Sequence, residues 1–226
     1  MHLKYLFDYP GGFMASKKSE AKKEKLLTVA GEVFIEKGFR DATVAEICAR
    51  AEANISAVNY HFGSKEALYQ EAWRHSFTES LKAYPMDGSV SESAPAEERL
   101  RGQLTALIRR IADENNKDFF IAQMEMINPT GLLQEVMKIE LIPMRQQTLA
   151  LVREMLGPEA TEQQVHYCEI SIISMCVQPM VMQRIARRTK DKNMPAIIED
   201  ITAFADHVVM FALAGINALR RKGRES

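Results

Sequence analysis

The stretch TVAEICARAEANISAVNYHFGSKEALY, residues 43–69, decides how this chain folds. Thr43 and Asn54 carry side-chain oxygens that accept from unpaired backbone N–H groups, and each stands directly before an apolar helical pattern. Val44, Ile47, Cys48 and Ala51 recur at i, i+3, i+4 and i+7, one buried stripe of a short helix. A second short helix runs from Asn54 to about Tyr60, with Val58 and Phe62 as buried anchors. After Gly63, Ser64 caps a third, along which Tyr69, Trp73, Phe77, Leu81 and Tyr84 keep helical spacing. Two short helices joined by a turn of a few residues form a helix-turn-helix pattern, which spacing alone signals only weakly.

On the N-terminal side, Leu26, Ala30, Val33 and Phe34 line a helix that ends at Lys37-Gly38, a glycine stop. On the C-terminal side, PMDGSVSESAPA, residues 85–96, concentrates Pro, Gly, Ser and acid and reads as a linker. Beyond it Pro95 opens a helix buried through Leu100, Leu104, Leu107, Ile108 and Ile111, and Asp118 caps a short one to about Met126. Asn128-Pro129-Thr130-Gly131 breaks the pattern, which resumes over residues 132–156 with a bend at Pro143. Thr161 with Gln164 forms a capping box for a long helix to about Arg188, and Pro195 opens a last one to about Leu219. No stretch alternates apolar and polar residues, so the expected fold is all-α with about nine helices. Its parts are an N-terminal extension (1–16), a helix-turn-helix domain with its connecting helix (17–84), the linker (85–96) and a larger helical domain (97–226).

The last two helices are apolar on more than one face, so one subunit covers only part of each. A four-helix bundle across a twofold axis covers the rest, with Ile173, Val177, Met180, Phe204, Val208, Phe211 and Ala212 as expected dimer contacts. A central core helix in a monomer is the alternative.

The 226 residues carry 29 Lys+Arg against 30 Asp+Glu, so net charge argues for neither a nucleic-acid nor a membrane partner. Locally, Lys17, Lys18, Lys22, Lys23 and Lys25 against Glu20 and Glu24 make a basic arm ahead of the first helix stripe. Of 13 Met, 10 lie between Met124 and Met210, while 12 of 17 aromatics lie between Tyr5 and Tyr84, so the two ends differ in build. Cys48, Cys168 and Cys176 fall in apolar helical patterns without a CxxC pair and read as reduced core thiols of a cytoplasmic protein. The uninterrupted apolar runs are shorter than the roughly 18 residues of a membrane span. Asp8 and Pro10 interrupt what a signal peptide would need. Gly11-Gly12 fits the in-frame translation of a purine-rich ribosome-binding sequence, which makes Met14 a candidate start. A disordered arm is the other reading of that segment.

The string GFRDAT followed by residues 43–69 resembles the N-terminal DNA-binding domain of the TetR family of bacterial transcriptional regulators, over about residues 25–69. NYHFGSKEALY is its most specific part, and the NYHF variant with the later NPTG resembles a subgroup linked with drug-sensitivity and efflux genes. The resemblance implies a homodimer on a double-stranded DNA operator, with the helix capped by Asn54 in the major groove. The residues available to DNA are then Ile55, Ser56, Ala57, Asn59 and Tyr60, with Ile55 and Ala57 suited to thymine methyls and Asn59 to adenine or a phosphate. Thr43, His61 and Lys65 occupy positions where the family holds phosphates, contacts that position rather than read. Glu52 departs from the glycine common in the turn, and Asn59 stands where the family usually has tyrosine. Glu52 either keeps the turn out of the left-handed region or tolerates strain there.

No catalytic motif is present: there is no G-x-S-x-G, P-loop or H-E-x-x-H, and His166 and His207 fall on different helices. No cofactor or metal is implied, and the chain is expected not to be an enzyme. Family members couple an effector pocket in the larger domain to DNA binding. Adaptable Met and polar groups within apolar helices mark the candidates here: Gln123, Met124, Asn128, Tyr167, Met175, Gln178, Pro179 and Met182. They suit a mostly apolar small molecule. The expectation is a cytoplasmic, dimeric, ligand-released repressor of a palindromic operator. The alternative is a ligand-binding module that keeps the fold without sequence-specific DNA binding.

Overall fold

The computed structural model describes residues 17–189 and 198–224, which form nine α-helices and no strand. They are α1 (Lys17–Asp41), α2 (Val44–Ala51), α3 (Ile55–Phe62), α4 (Lys65–Ala83), α5 (Ala96–Ala112), α6 (Asp118–Ile127), α7 (Gln134–Leu156), α8 (Glu162–Thr189) and α9 (Ile201–Arg224). The candidate start Met14 lies outside the described residues, as does Pro195.

Most boundaries follow from local chemistry. Gly38 takes φ 74°, a conformation that side chains disfavour, and breaks α1 where the glycine signal places the stop; Phe39 to Asp41 make one further turn. Ser64 Oγ accepts the Ala67 N–H at 3.2 Å. At the start of α8 the capping box closes in both directions: Gln164 N–H donates to Thr161 Oγ1 at 3.2 Å and Thr161 N–H to Gln164 Oε1 at 2.8 Å. Two starts differ from the sequence reading. The final helix begins at Ile201, not at Pro195, because Asp200 Oδ1 accepts from the N–H groups of Thr202 and Ala203 at 2.8 and 3.1 Å. Asp118 is the first residue of α6 rather than the residue before it, and it is buried.

The chain divides into two compact units between His75 and Ser76, inside the continuous helix α4. In the first unit Leu26, Val33 and Phe34 of α1 are buried with Ile47 of α2, Val58 of α3 and Leu68, Tyr69 and Trp73 of α4. Phe34 meets Tyr69 edge-on at 4.7 Å, and Phe39 completes the aromatic group 5.1 Å from Tyr69.

In the second unit Leu100, Leu104 and Ile108 of α5 pack with Leu151, Val152 and Met155 of α7, Cys168, Ile172 and Cys176 of α8, and Val208, Val209 and Ala212 of α9. The segment 85–95 lies against α5: a Cβ on Gly88 would come 2.3 Å from the Gly102 carbonyl oxygen, so glycine is required for this approach. The uninterrupted apolar runs of α8 and α9 are short, yet Glu162–Gln183 and Ile201–Lys222 are each apolar and long enough, as whole stretches, to cross a membrane. Their inward sides build the core just described, and their outward sides remain apolar.

Candidate functional site

The geometry of α2, the turn and α3 follows from its two caps. Thr43 Oγ1 accepts the Glu46 N–H at 3.2 Å and Asn54 Oδ1 the Ser56 N–H at 3.1 Å, which starts each helix at the residue after its cap. Between them Glu52 adopts φ 54°, ψ 42°, the left-handed region. Of the two readings open at Glu52, the turn therefore tolerates strain at a non-glycine residue. The Glu52 and Ala53 N–H groups return to the carbonyls of Ala49 and Cys48, closing the end of α2. Lys25 Nζ sits 3.2 Å from the Glu52 carboxylate.

One face of α3 is turned in and the other is open. Val58 is 1% exposed and anchors the helix, while Ile55 is 50% and Tyr60 80% exposed, and Ser56 and Asn59 are exposed as well. Ala57 and His61 are half-buried, and His61 lies edge-on to the Tyr60 ring at 5.0 Å. Phe62, expected as a second buried anchor, is only half-buried. Thr43 is exposed. Lys65 differs from a free phosphate-facing lysine: its ammonium lies over the Phe39 ring at 4.5 Å and donates to the Arg40 carbonyl at 3.3 Å. Exposed acceptors and donors beside apolar groups, on a helix narrow enough for a major groove, can read base edges.

The expected pocket residues differ in exposure. Asn128 and Gln178 are exposed, and Gln123, Met124, Pro179 and Met182 are half-buried. Tyr167, 59% exposed, and Met175 instead line a groove of about 260 Å³ on α8 and α9, together with Phe211 and Ala212. Residues assigned to ligand and residues assigned to the dimer thus share one surface. The expected dimer contacts also separate. Phe211 is 62% exposed, and Ile173 and Val177 are half-buried; Met180, Val208 and Ala212 are buried in the subunit's own core, and Phe204 packs against it. A helix apolar on several faces does not reveal in sequence which face its own chain covers.

Several buried polar groups were not foreseen, among them Glu125 and Arg110. Glu125 receives the Thr130 N–H and O–H, both at 2.9 Å, and the Gly131 N–H at 2.8 Å, so one carboxylate organises the NPTG turn. Arg110 and Asp118 form a buried pair, Nη2 to Oδ2 3.7 Å, and the guanidinium lies over the Phe77 ring at 5.3 Å. Burial depresses the proton affinity of Arg110 and raises that of Asp118, since each loses hydration of its charge. Burial also pushes the Cys176 thiol up to about 12 and raises Cys48 and Cys168. Among the described residues no group of three or more His, Cys, Asp or Glu could hold a metal ion.

Comparison with known proteins agrees with this geometry. Residues 26–72 match the family model of bacterial regulatory proteins of the TetR family. Residues 96–216, over half of the chain, match the C-terminal domain of the HTH-type transcriptional dual regulator CecR. CecR of Shigella flexneri is 48% identical over 52 residues, which span 23% of this chain and 23% of that protein. Solved structures share the fold: a TetR-like transcriptional regulator from Rhodococcus sp. RHA1 has a TM-score of 0.64 at 19% identity, covering 87% of this chain and 96% of its own. The fatty acid degradation regulator FadR from Bacillus halodurans has a TM-score of 0.65 at 16% identity, covering 86% and 95%. These are transcriptional regulators, not enzymes. The chain belongs to the TetR family of transcriptional regulators.

Proposed function

We propose that the chain is a cytoplasmic homodimer that represses transcription at a palindromic operator and is released by a mostly apolar small molecule. The observation that carries the DNA-binding part is the division of α3: Val58 is buried while Ile55, Ser56, Asn59 and Tyr60 stand outward from a helix capped by Asn54. Two such helices, one turn of DNA apart on a twofold axis, fit a palindrome. Tyr60 and Asn59 read or grip the groove in this proposal, Ile55 and Ala57 meet thymine methyls, and Thr43 and His61 hold phosphate. Lys65 joins them only by leaving Phe39 and Arg40.

The outward side of α8 and α9 supports the dimer. Tyr167, Ile170, Met210, Phe211 and Leu219 are exposed there, an apolar set of the kind that a partner subunit covers. Tyr167, Met175 and Phe211 accordingly belong to the subunit contact in this proposal, and Gln123, Met124, Pro179 and Met182 to the effector domain's interior. Effector release requires tighter binding to the DNA-incompetent state than to the competent one.

The test is binding of the full chain to the DNA upstream of its own gene, in competition with random DNA at moderate salt. A dimer in light scattering with a sequence preference that Tyr60→Ala abolishes is expected. A monomer, or equal affinity for random DNA, refutes the proposal and leaves a ligand-binding module of the same fold.

A further inference from the structure

We propose that Arg110 forms an acid-reading subsite in the larger domain, one that takes the carboxylate of a ligand whose body is apolar. This rests on the proposal that the domain is a sensor. Arg110 projects from α5 with 7% of its side chain exposed, and its guanidinium offers five N–H donors in a fixed fork. Nη2 approaches Asp118 only to 3.7 Å, beyond hydrogen-bonding distance, and among the described residues no acceptor reaches Nε or Nη1. Asp118 also has Ser80 and the N–H groups at the start of α6 beside it, which favour its charged form against the burial that raises its proton affinity. The carboxylate already in the site thus pairs with Nη2 alone, and Nε and Nη1 are left to a further acceptor.

Buried N–H donors without an acceptor carry a desolvation cost, and the acceptor that offsets it best is itself charged. A carboxylate matches the guanidinium in charge and shape. The neighbouring side chains define the remainder of the ligand. Ile111, the next residue on α5, packs with Met180 and Ile198, and Phe119 and Val177 lie against that cluster. An acid group on an apolar body satisfies both environments.

The same site bears on α4. Ser76 Oγ accepts the Lys117 N–H at 3.1 Å, Phe77 lies beneath Arg110, and the Tyr84 O–H donates to Asp113 at 3.1 Å. The second half of α4 is therefore fastened to the end of α5 and the start of α6 around this guanidinium. A ligand acid that draws Arg110 away from Phe77 alters the contacts that hold α4, and α4 runs without a break back to Lys65.

The experiment is calorimetric titration of the full chain with octanoate and benzoate, each beside its neutral amide at matched ionic strength. The acids should bind at least about tenfold tighter than the amides, as expected for a charge-assisted contact. Arg110→Met should abolish that preference, and Asp118→Asn, which removes the competing carboxylate, should strengthen acid binding. No binding by either acid, equal binding of acid and amide, or an acid preference that survives Arg110→Met overturns the subsite. If Arg110→Met does not fold, Asp118→Asn decides: unchanged or weaker acid binding overturns the proposal. Operator release by neutral apolar molecules, measured separately, would leave the sensor role standing even where the acid subsite fails.

Discussion

Glu52 offers a quantitative test of the turn between α2 and α3. Its left-handed conformation, φ 54°, costs an L-residue roughly 1–2 kcal/mol. Glycine removes that cost but loses about 0.5–1 kcal/mol through its freer unfolded chain. The ion pair with Lys25, 3.2 Å long and exposed, contributes about 0–1 kcal/mol and is absent from both Glu52→Gly and Glu52→Ala. Comparing those two variants therefore isolates the backbone: Glu52→Gly should be more stable than Glu52→Ala by about 0.5–1 kcal/mol. For a chain of this size that gap corresponds to roughly 1–4 °C in Tm. Urea unfolding at pH 7, with equal m-values for the two variants, measures it directly. Raising the salt should shrink the difference between wild type and Glu52→Ala while leaving the Gly-to-Ala gap unchanged. Equal stability of the two variants, or a more stable alanine, would refute the strained turn.

Val58 and Tyr60 should separate folding from recognition: Val58→Ala removes buried methyls and should cost about 1–2 kcal/mol in unfolding, whereas Tyr60→Ala should stay within about 0.5 kcal/mol yet lose operator affinity in a gel-shift titration. Glu125→Gln leaves the Thr130 and Gly131 N–H groups facing an amide in place of a carboxylate and should cost about 1–3 kcal/mol, read by thermal unfolding. Cys176 should resist thiol reagents until the chain unfolds. Its folded pKa of about 12 stands above the ordinary 9.0, so the unfolded thiol loses its proton first. Stability therefore falls as pH rises from 9.0 toward about 12, a decline that Cys176→Val should reduce when unfolding is followed across that range.

Local periodicity and capping carried much of the architecture. Thr43, Asn54, Ser64 and the Thr161–Gln164 pair mark helix starts by side-chain chemistry that acts within three residues, and each holds in the structure. What depended on distant partners was hidden. Nothing near Lys65 in sequence announces Phe39 and Arg40, 26 and 25 positions away, as its partners. Asp118 reads as a helix cap and Arg110 carries no signal of its own; only the packing of α4, α5 and α6 buries them together. The apolar stripes of α8 and α9 foretold burial without telling which side was covered within the chain, so Met180, Val208 and Ala212 were assigned to a partner subunit although their own chain covers them. The start of α9 was misplaced because Pro195 and Asp200 both carry helix-start chemistry, and Asp200 supplies the cap.

The central claim is that the outward face of α3 reads DNA sequence in a dimer. Its most direct measurement is a competition titration of the full chain on its upstream DNA at moderate salt, with stoichiometry determined and Asn59→Ala and Tyr60→Ala in parallel. Preferential binding of an even number of chains to a twofold-symmetric site, weakened by both substitutions without loss of folding, is the predicted result. Affinity that is the same for random DNA, or that is unchanged when Asn59 and Tyr60 are both removed, would contradict it.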